Sequence, residues 1–175
     1  MIKGRAIKLG DDINTDLVIA GRYKFKSVSI EEMAQHIFED VDSSLASRIK
    51  PGDIVVAGKN FGCGSSREQA PRVMVKAGIS AVIAKSFARI FFRNTINVGL
   101  PAIIVEGKFV DSTSEYDLLE IDLAKNTIRN LTKDIEAKFK PFPKQLLQIL
   151  EAGGLVSYVK KKISLNELDS GVSIW

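Results

Sequence analysis

The sequence contains a single cysteine, Cys63, and a single histidine, His36, among its 175 residues. A zinc or iron–sulfur site draws on about three or four cysteine or histidine ligands. The chain therefore cannot build such a site from its own residues, and it cannot form an internal disulfide. Any metal chemistry must use carboxylates or a group that another subunit provides.

Long apolar runs and clustered charges are also absent. Runs such as Ala102–Val105 fall far short of a membrane-spanning helix, and residues 1–5 lack the apolar stretch of a signal peptide. We therefore predict a cytoplasmic protein with no membrane partner. The net charge is +4 and Lys160–Lys162 is the one basic run, a pattern that does not predict nucleic-acid binding.

The central part of the sequence has a strand–helix–strand–helix–strand pattern. Asp53–Ala57, Ile79–Ala84 and Pro101–Val105 are apolar enough to be buried strands. The intervening stretches, one ending at Ala77 and the other spanning Phe87–Val98, are helical patterns, each stopped by a glycine. Alternating strands and helices of this kind predict a parallel sheet.

The flanking segments predict further elements. Ile2–Leu9 has the pattern of an edge strand, and a helix is expected around Ile30–Glu39. Leu118–Leu123 and Thr127–Leu131 flank a short turn and predict a β-hairpin. Lys144–Ala152 predicts a helix that ends at two glycines.

The loop Gly58–Glu68 follows the first buried strand and is rich in glycine and serine. Strand ends in parallel sheets open into a crevice where ligands bind. Ser65 and Glu68 fit a capping box, whereas Pro71 predicts a tight turn first, with the regular helix starting near the proline. The spacing alone favours a simple helix cap. Arg67 beside serines and glycines adds the features of an anion-binding loop.

The segment Asn60–Glu68, with the letters NFGCGSSRE, closely resembles the G-S-S-R-E signature of aconitase-family swivel domains. Within that family it is most similar to small subunits of 3-isopropylmalate dehydratase. Asp11–Asp16 and Lys85–Pro101 agree with further family motifs, in the family's order. The resemblance implies an α/β fold: a single aconitase-type swivel domain over residues 1–162, with a mainly parallel central sheet flanked by helices plus a β-hairpin, followed by a C-terminal tail over residues 163–175.

The resemblance also implies a function. The chain would be the small subunit of a two-subunit hydro-lyase that isomerises a 2-hydroxy di- or tricarboxylate by dehydration and rehydration. The large subunit would hold a 4Fe-4S cluster whose iron acts on the departing hydroxyl, so that no cofactor lies on this chain. In isolation, the chain could form a homo-oligomer.

The site residues follow from the same resemblance, position by position. Ser65 matches the catalytic serine whose alkoxide takes the substrate proton. Ser66 matches its neighbour, which hydrogen-bonds a substrate carboxylate, and Arg67 matches the arginine that clamps this carboxylate. Gly64 belongs to the same substrate-binding loop, and Asp16 matches an aspartate close to the catalytic serine.

Residues 22–27 align with the segment that sets substrate choice in this family. If this segment is extended, Tyr23 and Phe25 share one face and Lys24 and Lys26 the other. An inward aromatic face would favour an alkyl substituent, and an inward lysine face would favour a carboxylate. We expect residues 23–28 to be poorly packed in the isolated subunit. We favour 2-isopropylmalate, an intermediate of leucine biosynthesis, with homoaconitase and methyl-substituted malate dehydratase as alternatives.

Other functional classes stay open at this stage. A stand-alone anion- or RNA-binding regulatory module fits the slight positive charge, although no basic–aromatic surface pattern is present. A serine hydrolase is disfavoured because Ser65 lacks the G-x-S-x-G context. Cys63 is expected to be a packing residue, and His36 a surface or capping residue.

Overall fold

The computed structural model describes residues 1–24, 29–65 and 67–164, with Lys24 described by its backbone alone. The strands are β1 Ile2–Lys8, β2 Ile54–Ala57, β3 Ala81–Ala84, β4 Ala102–Ile104, β5 Leu118–Asp122, β6 Thr127–Asn130 and β7 Ile135–Lys138. The helices are α1 Thr15–Val18, α2 Gly21–Lys24, α3 Ile30–Ala34, α4 Leu45–Arg48, α5 Gln69–Lys76, α6 Arg89–Asn97, α7 Gly107–Ser112, α8 Lys144–Glu151 and α9 Leu155–Ser164. None of the helices in these ranges is long and apolar enough to cross a bilayer.

The described strands form one seven-stranded sheet in the order β4-β3-β2-β1-β5-β6-β7. Strands β1 to β4 are mutually parallel, which follows from the helical crossovers between them. Strands β5, β6 and β7 continue the sheet on the other side of β1 and are antiparallel. The predicted α/β fold class is confirmed, and so is the hairpin, now seen as β5 and β6.

Both faces of the sheet are covered. One cluster of buried residues, the first core, contains alternate strand residues such as Val55 and Val82 together with side chains of α5 and α6. The other cluster, the second core, contains the strand residues that point to the opposite face, such as Ile54 and Ile83, together with Phe109 of α7. Because β2 and β3 are buried on both faces, their sequences are continuously apolar rather than alternating.

The prediction that the first strand is an edge strand is wrong. β1 lies between β2 and β5. Its cationic residues Arg5 and Lys8 have acceptors inside the fold. Arg5 donates to the buried Asp53 at 2.7 and 3.0 Å, and the Lys8 ammonium donates to the Val110 carbonyl.

One helix and one strand also differ from the sequence prediction. α3 ends at Ala34 rather than near residue 39, and Phe38 in the following turns has a φ of +57° that no helix allows. β7 has no counterpart among the predicted strands. Its four residues alternate between half-buried and exposed and form no clear apolar face, so the sequence pattern did not predict a strand.

Candidate active site

Three loops meet at the carboxyl ends of β1, β2 and β3. The loop after β2 lies between the other two and is held by backbone hydrogen bonds on both sides. Gly62 N–H donates to the Ile13 carbonyl at 2.7 Å, and Thr15 N–H donates to the Cys63 carbonyl at 3.0 Å. Phe61 is bound in the same way to the loop after β3. The three loops therefore form one continuous layer.

Glycines give the middle loop its path. Gly62 has a φ of +79°, and a Cβ there would lie only 2.1 Å from Cγ of Phe91. Gly62 therefore allows both a left-handed turn and close packing of an aromatic ring. Gly64 has a φ of +83°, and the nearest atom to a Cβ there would be Asn14 Cβ at 3.5 Å. A glycine is therefore favoured at position 64 by the backbone conformation alone and not by a steric contact.

Ser65, the predicted catalytic serine, is exposed. Its carbonyl accepts a hydrogen bond of 2.6 Å from the Thr15 hydroxyl, and Thr15 itself is only 2% exposed. The backbone of Ser65 is therefore fixed to the loop after β1, while the residue stays open to solvent.

The predicted capping box at Ser65 is not found. The N-cap residue of α5 is Glu68, and no side-chain hydrogen bond caps the helix at this residue. The helix starts at Gln69, two residues earlier than expected from Pro71. Pro71 is the third helical residue, where the N–H that it lacks has no partner within the helix.

Arg67 forms an ion pair with Asp16 through its Nη2 and the Oδ1 of the aspartate. The arginine side chain is 16% exposed and the aspartate side chain 50% exposed. Gly21 lies against the guanidinium, because a Cβ on it would be 3.0 Å from Nη2. Arg67 has no second acidic partner among the described residues. Two of the predicted substrate-binding residues are thus brought together.

A cavity of about 300 Å³ opens beside this ion pair. One wall consists of the predicted site loop and the residue preceding Asp16, and the other wall is the first part of α6. The lining residues are Thr15, Gly62, Gly64, Arg67, Ala88, Arg89, Ile90, Phe91 and Asn94. A volume of this size is at the lower end of small-molecule sites, so the cavity suits a small organic acid.

Tyr23 does not face this cavity in the way that an extended loop predicted. It lies in α2, a helical turn, so alternate residues do not share a face. Its ring stacks on His36 with centroids 4.4 Å apart, and its hydroxyl donates to Glu39 at 2.7 Å. The expectation of poor packing is therefore wrong for Tyr23.

The remaining predicted positions lie outside the description. Neither Phe25 nor Lys26 belongs to the described residues, and the same holds for the Lys24 side chain and for Ser66. Their predicted roles in substrate choice and carboxylate binding stay predictions.

The contacts of Tyr23 belong to a charged network. Arg22 donates to Asp40 at 2.7 and 3.0 Å and to Glu39 at 2.6 Å. The pKa of Glu39 is lowered to about 2, mainly by the hydrogen bond from the Tyr23 hydroxyl and next by the hydrogen bond from Arg22. The network fixes α2 to the turns that follow α3. It was missed because its acidic residues lie far along the sequence from the residues they bind.

Cys63 is half-buried, and its thiol contacts the Asp12 carbonyl at 3.8 Å. Within the described ranges no three histidine, cysteine, aspartate or glutamate side chains converge as metal ligands. These residues do not fit an iron–sulfur cluster, and no chemical step is assigned to a metal on this chain.

Sequence reasoning missed several residues of the cavity. Thr15 precedes Asp16 in a motif that was recognised, but its hydrogen bond to Ser65 depends on chain packing. Arg89 and Asn94 lie in the recognised stretch 85–101, but neither was assigned a role in the site. Gly21 immediately precedes the predicted specificity segment, and its contact with a guanidinium left no sequence signal.

Comparison with known proteins gives consistent results. Residues 16–106 match the family model described as the aconitase C-terminal domain. The chain is 55% identical to 3-isopropylmalate dehydratase small subunit 2 of Archaeoglobus fulgidus, over 90% of the chain and 94% of that relative. It is 48% identical to the methanogen homoaconitase small subunit of Methanothermobacter thermautotrophicus, over 99% of the chain and 96% of that relative.

The fold agrees with a solved structure as well. The crystal structure of 3-isopropylmalate dehydratase from Methanocaldococcus jannaschii superposes with a TM-score of 0.88 at 46% identity. The match covers 95% of the chain and 97% of that structure. The agreement therefore extends beyond the matched motifs to the antiparallel half of the sheet.

Proposed function

The chain belongs to the aconitase family, and from this premise we propose that it is the small subunit of a hydro-lyase that isomerises 2-isopropylmalate to 3-isopropylmalate with a larger subunit. The names of relatives at 47–55% identity support this substrate. In this proposal the large subunit carries the iron–sulfur cluster, which supplies a Lewis acid when bound. The residues of this chain bind and orient the substrate and accept its proton.

The observation that carries the proposal is the arrangement around Gly64. An exposed serine with a fixed backbone, a largely buried arginine and a cavity of about 300 Å³ occur together where three parallel strands end. This arrangement is open on the side of Ser65, so a second protein can complete it. A serine that only capped a helix would need none of these features.

In the proposed mechanism, Ser65 Oγ accepts the proton from the substrate carbon that neighbours the hydroxyl-bearing carbon. A serine hydroxyl is a poor base in water, so its deprotonated form requires nearby positive charge and donors. Arg67 supplies that charge. The hydrogen bond from Thr15 to the Ser65 carbonyl keeps the backbone in place while the proton moves.

Arg67 also binds a substrate carboxylate in this proposal. Its guanidinium can offer two parallel N–H donors to a carboxylate. Asp16 and Gly21 hold one side of the guanidinium, which leaves the other side for the substrate. We assign Ser66 the second hydrogen bond to the same carboxylate.

A homoaconitase small subunit is the second candidate. It is favoured by the Methanothermobacter thermautotrophicus relative, whose match spans 99% of this chain. Turnover by the reconstituted pair of subunits should be measured on 2-isopropylmalate, on homoaconitate and on a methyl-substituted malate. Preference for the tricarboxylate would contradict the isopropylmalate assignment.

Ser65→Ala tests the mechanism. Turnover by the reconstituted pair should fall by at least about a thousandfold, because the proton acceptor is lost while binding contacts remain. Assembly with the large subunit, measured by size-exclusion chromatography, should be unchanged.

The matched control is Ser47→Ala, an exposed serine of α4 whose hydroxyl bonds only within its own turn. Its turnover should equal that of the unaltered protein. Normal turnover by the Ser65 variant in an assembled complex would remove the assigned role of this residue.

A further inference from the structure

The charge of the cavity is not complete with the residues assigned so far. Arg67 contributes one positive charge, which Asp16 and the bound carboxylate share. The proposed substrate carries two carboxylates, and holding the second one in a small apolar-walled space without a cationic partner is unfavourable. A second cation at this site is therefore expected.

We propose that Arg89 is a second substrate-carboxylate-binding residue of this cavity, an inference that rests on the proposed function. Arg89 lines the same cavity as Arg67 but belongs to a different segment, the start of α6. It is exposed, and the ion pairs found among the described residues do not include it. Because this guanidinium has no acidic partner among the described residues, its charge is available to bind an organic acid in the cavity.

The position of Arg89 is fixed by packing rather than by charge. It is the first residue of α6, and two residues later the ring of Phe91 lies against Gly62 and packs edge-to-face on Phe61, with centroids 5.2 Å apart. The backbone at Arg89 is therefore held at a constant distance from the Gly62–Gly64 loop. The two arginines thus stand on two rigid walls of one space.

Two arginines that line one cavity from separate segments can each bind one carboxylate of a dicarboxylate. In this arrangement Arg67 binds the carboxylate next to Ser65, and Arg89 binds the other. Asn94 lines the same wall and can add a neutral donor.

Arg93 provides a matched control. It lies one helical turn after Arg89 and is also exposed. Both arginines line an adjoining groove with Phe87, Phe92 and Ile104, but only Arg89 lines the cavity of the proposed site. A charge-removing substitution at each residue changes the net charge and the groove equally.

The experiment compares Arg89→Gln with Arg93→Gln in the reconstituted complex with saturating large subunit. Arg89→Gln should raise KM for 2-isopropylmalate roughly tenfold or more, the effect of losing one charged hydrogen bond, whereas Arg93→Gln should change it less than twofold. Arg89→Lys should recover part of the loss, because the charge returns without the fork geometry. Equal KM values for the two glutamine variants would overturn the inference.

Calorimetric binding of 2-isopropylmalate to the same complexes separates this inference from the proposed function. Absence of turnover in the unaltered complex contradicts the proposed function. Equal Kd values for the two glutamine variants contradict the role of Arg89, whether or not turnover occurs. An Arg89→Gln protein that fails only to assemble with the large subunit, with an unchanged Kd once assembled, also overturns it.

Discussion

Gly62 and Gly153 adopt the same φ of +79°, but only Gly62 has a neighbour where a side chain would lie. A Cβ on Gly62 would overlap the Phe91 ring, whereas nothing lies within 4 Å of one on Gly153. The two residues therefore separate two costs of replacing glycine: the left-handed conformation and the steric overlap.

Alanine substitutions at these two positions test that separation. Gly153→Ala should lower the free energy of unfolding by about 1 kcal/mol, the cost of a positive φ in a residue with a Cβ. Gly62→Ala should lower it by roughly 1–3 kcal/mol more, because the aromatic ring must move. Urea denaturation of both variants measures the difference. Equal losses would show that the Phe91 contact imposes no constraint.

At the residue scale, the sequence offered candidate site residues but not their contacts. Gly64, Ser65, Arg67 and Asp16 became candidates through motifs that lie within short segments. The hydrogen bond from Thr15 to the Ser65 carbonyl could not be found in this way. It joins loops from two neighbouring strands, and only the parallel pairing of those strands brings the atoms together.

At the scale of elements, α2 shows how a four-residue helix is held. So short a helix has little stability of its own. Tyr23 and Arg22 both bind Glu39, and this side chain thereby connects α2 to the turns after α3. Since α2 begins at Gly21, against the Arg67 guanidinium, this connection also positions one border of the proposed site.

Glu39→Gln tests the anchoring of α2. Because the pKa of Glu39 is about 2 in the folded protein, below its usual 4.5, the carboxylate stabilises the fold at pH values above 4.5, and this contribution is lost as the pH falls towards 2. The variant should lose about 1 kcal/mol of unfolding free energy at neutral pH. Its difference from the unaltered protein should shrink between pH 4.5 and 2.

Urea denaturation over a series of pH values gives both quantities. The control is Glu151→Gln, an exposed residue at the end of α8, which should show no such difference at any pH. A difference for Glu39→Gln that stays constant down to pH 2 would contradict the role of its charge.

The elements that the sequence predicted well are those with strong apolar patterns. β2, β3 and α6 lie within their predicted segments because their burial is dictated by the apolar residues alone. β1 was not recognised as an inner strand, and it carries the cationic residues Arg5 and Lys8. Long cationic side chains can place their charged ends on buried acceptors, and a period-two pattern does not distinguish this from exposure.

At the scale of the whole molecule, the two cores share the same strands. Alternate residues of β2 and β3 point into the first core and the second. A defect in the second core therefore weakens strands that also support the first core and the proposed site. The two cores are expected to unfold as one cooperative unit.

Ile83→Ala tests this coupling. Ile83 is fully buried in the second core, and its truncation should lower the free energy of unfolding by about 2–5 kcal/mol. Hydrogen exchange of amides in α5, which packs on the other face, should accelerate together with exchange in β6. Ile104→Ala, at a residue 52% exposed on the neighbouring strand, should have little effect. Protection retained in α5 but lost in β6 would show separate units.

The general architecture was predictable because the strand–helix alternation in the centre of the sequence specifies a parallel sheet. The antiparallel half was only partly predictable. The turn between β5 and β6 indicated a hairpin, but nothing local shows that β5 pairs with β1 at the other end of the sequence. Such pairings are decided by burial of the complete sheet rather than by a pattern within one segment.

The pairing of β1 with β5 also affects how the protein emerges from a ribosome. Ile2 lies opposite Ile121 in this pair, whereas the cavity is lined by residues 15–94. A nascent chain thus exposes every part of the cavity before the partner for one side of its first strand has been translated. Until then that side of β1 offers open backbone donors and acceptors to other nascent chains, and chaperones have reason to bind it.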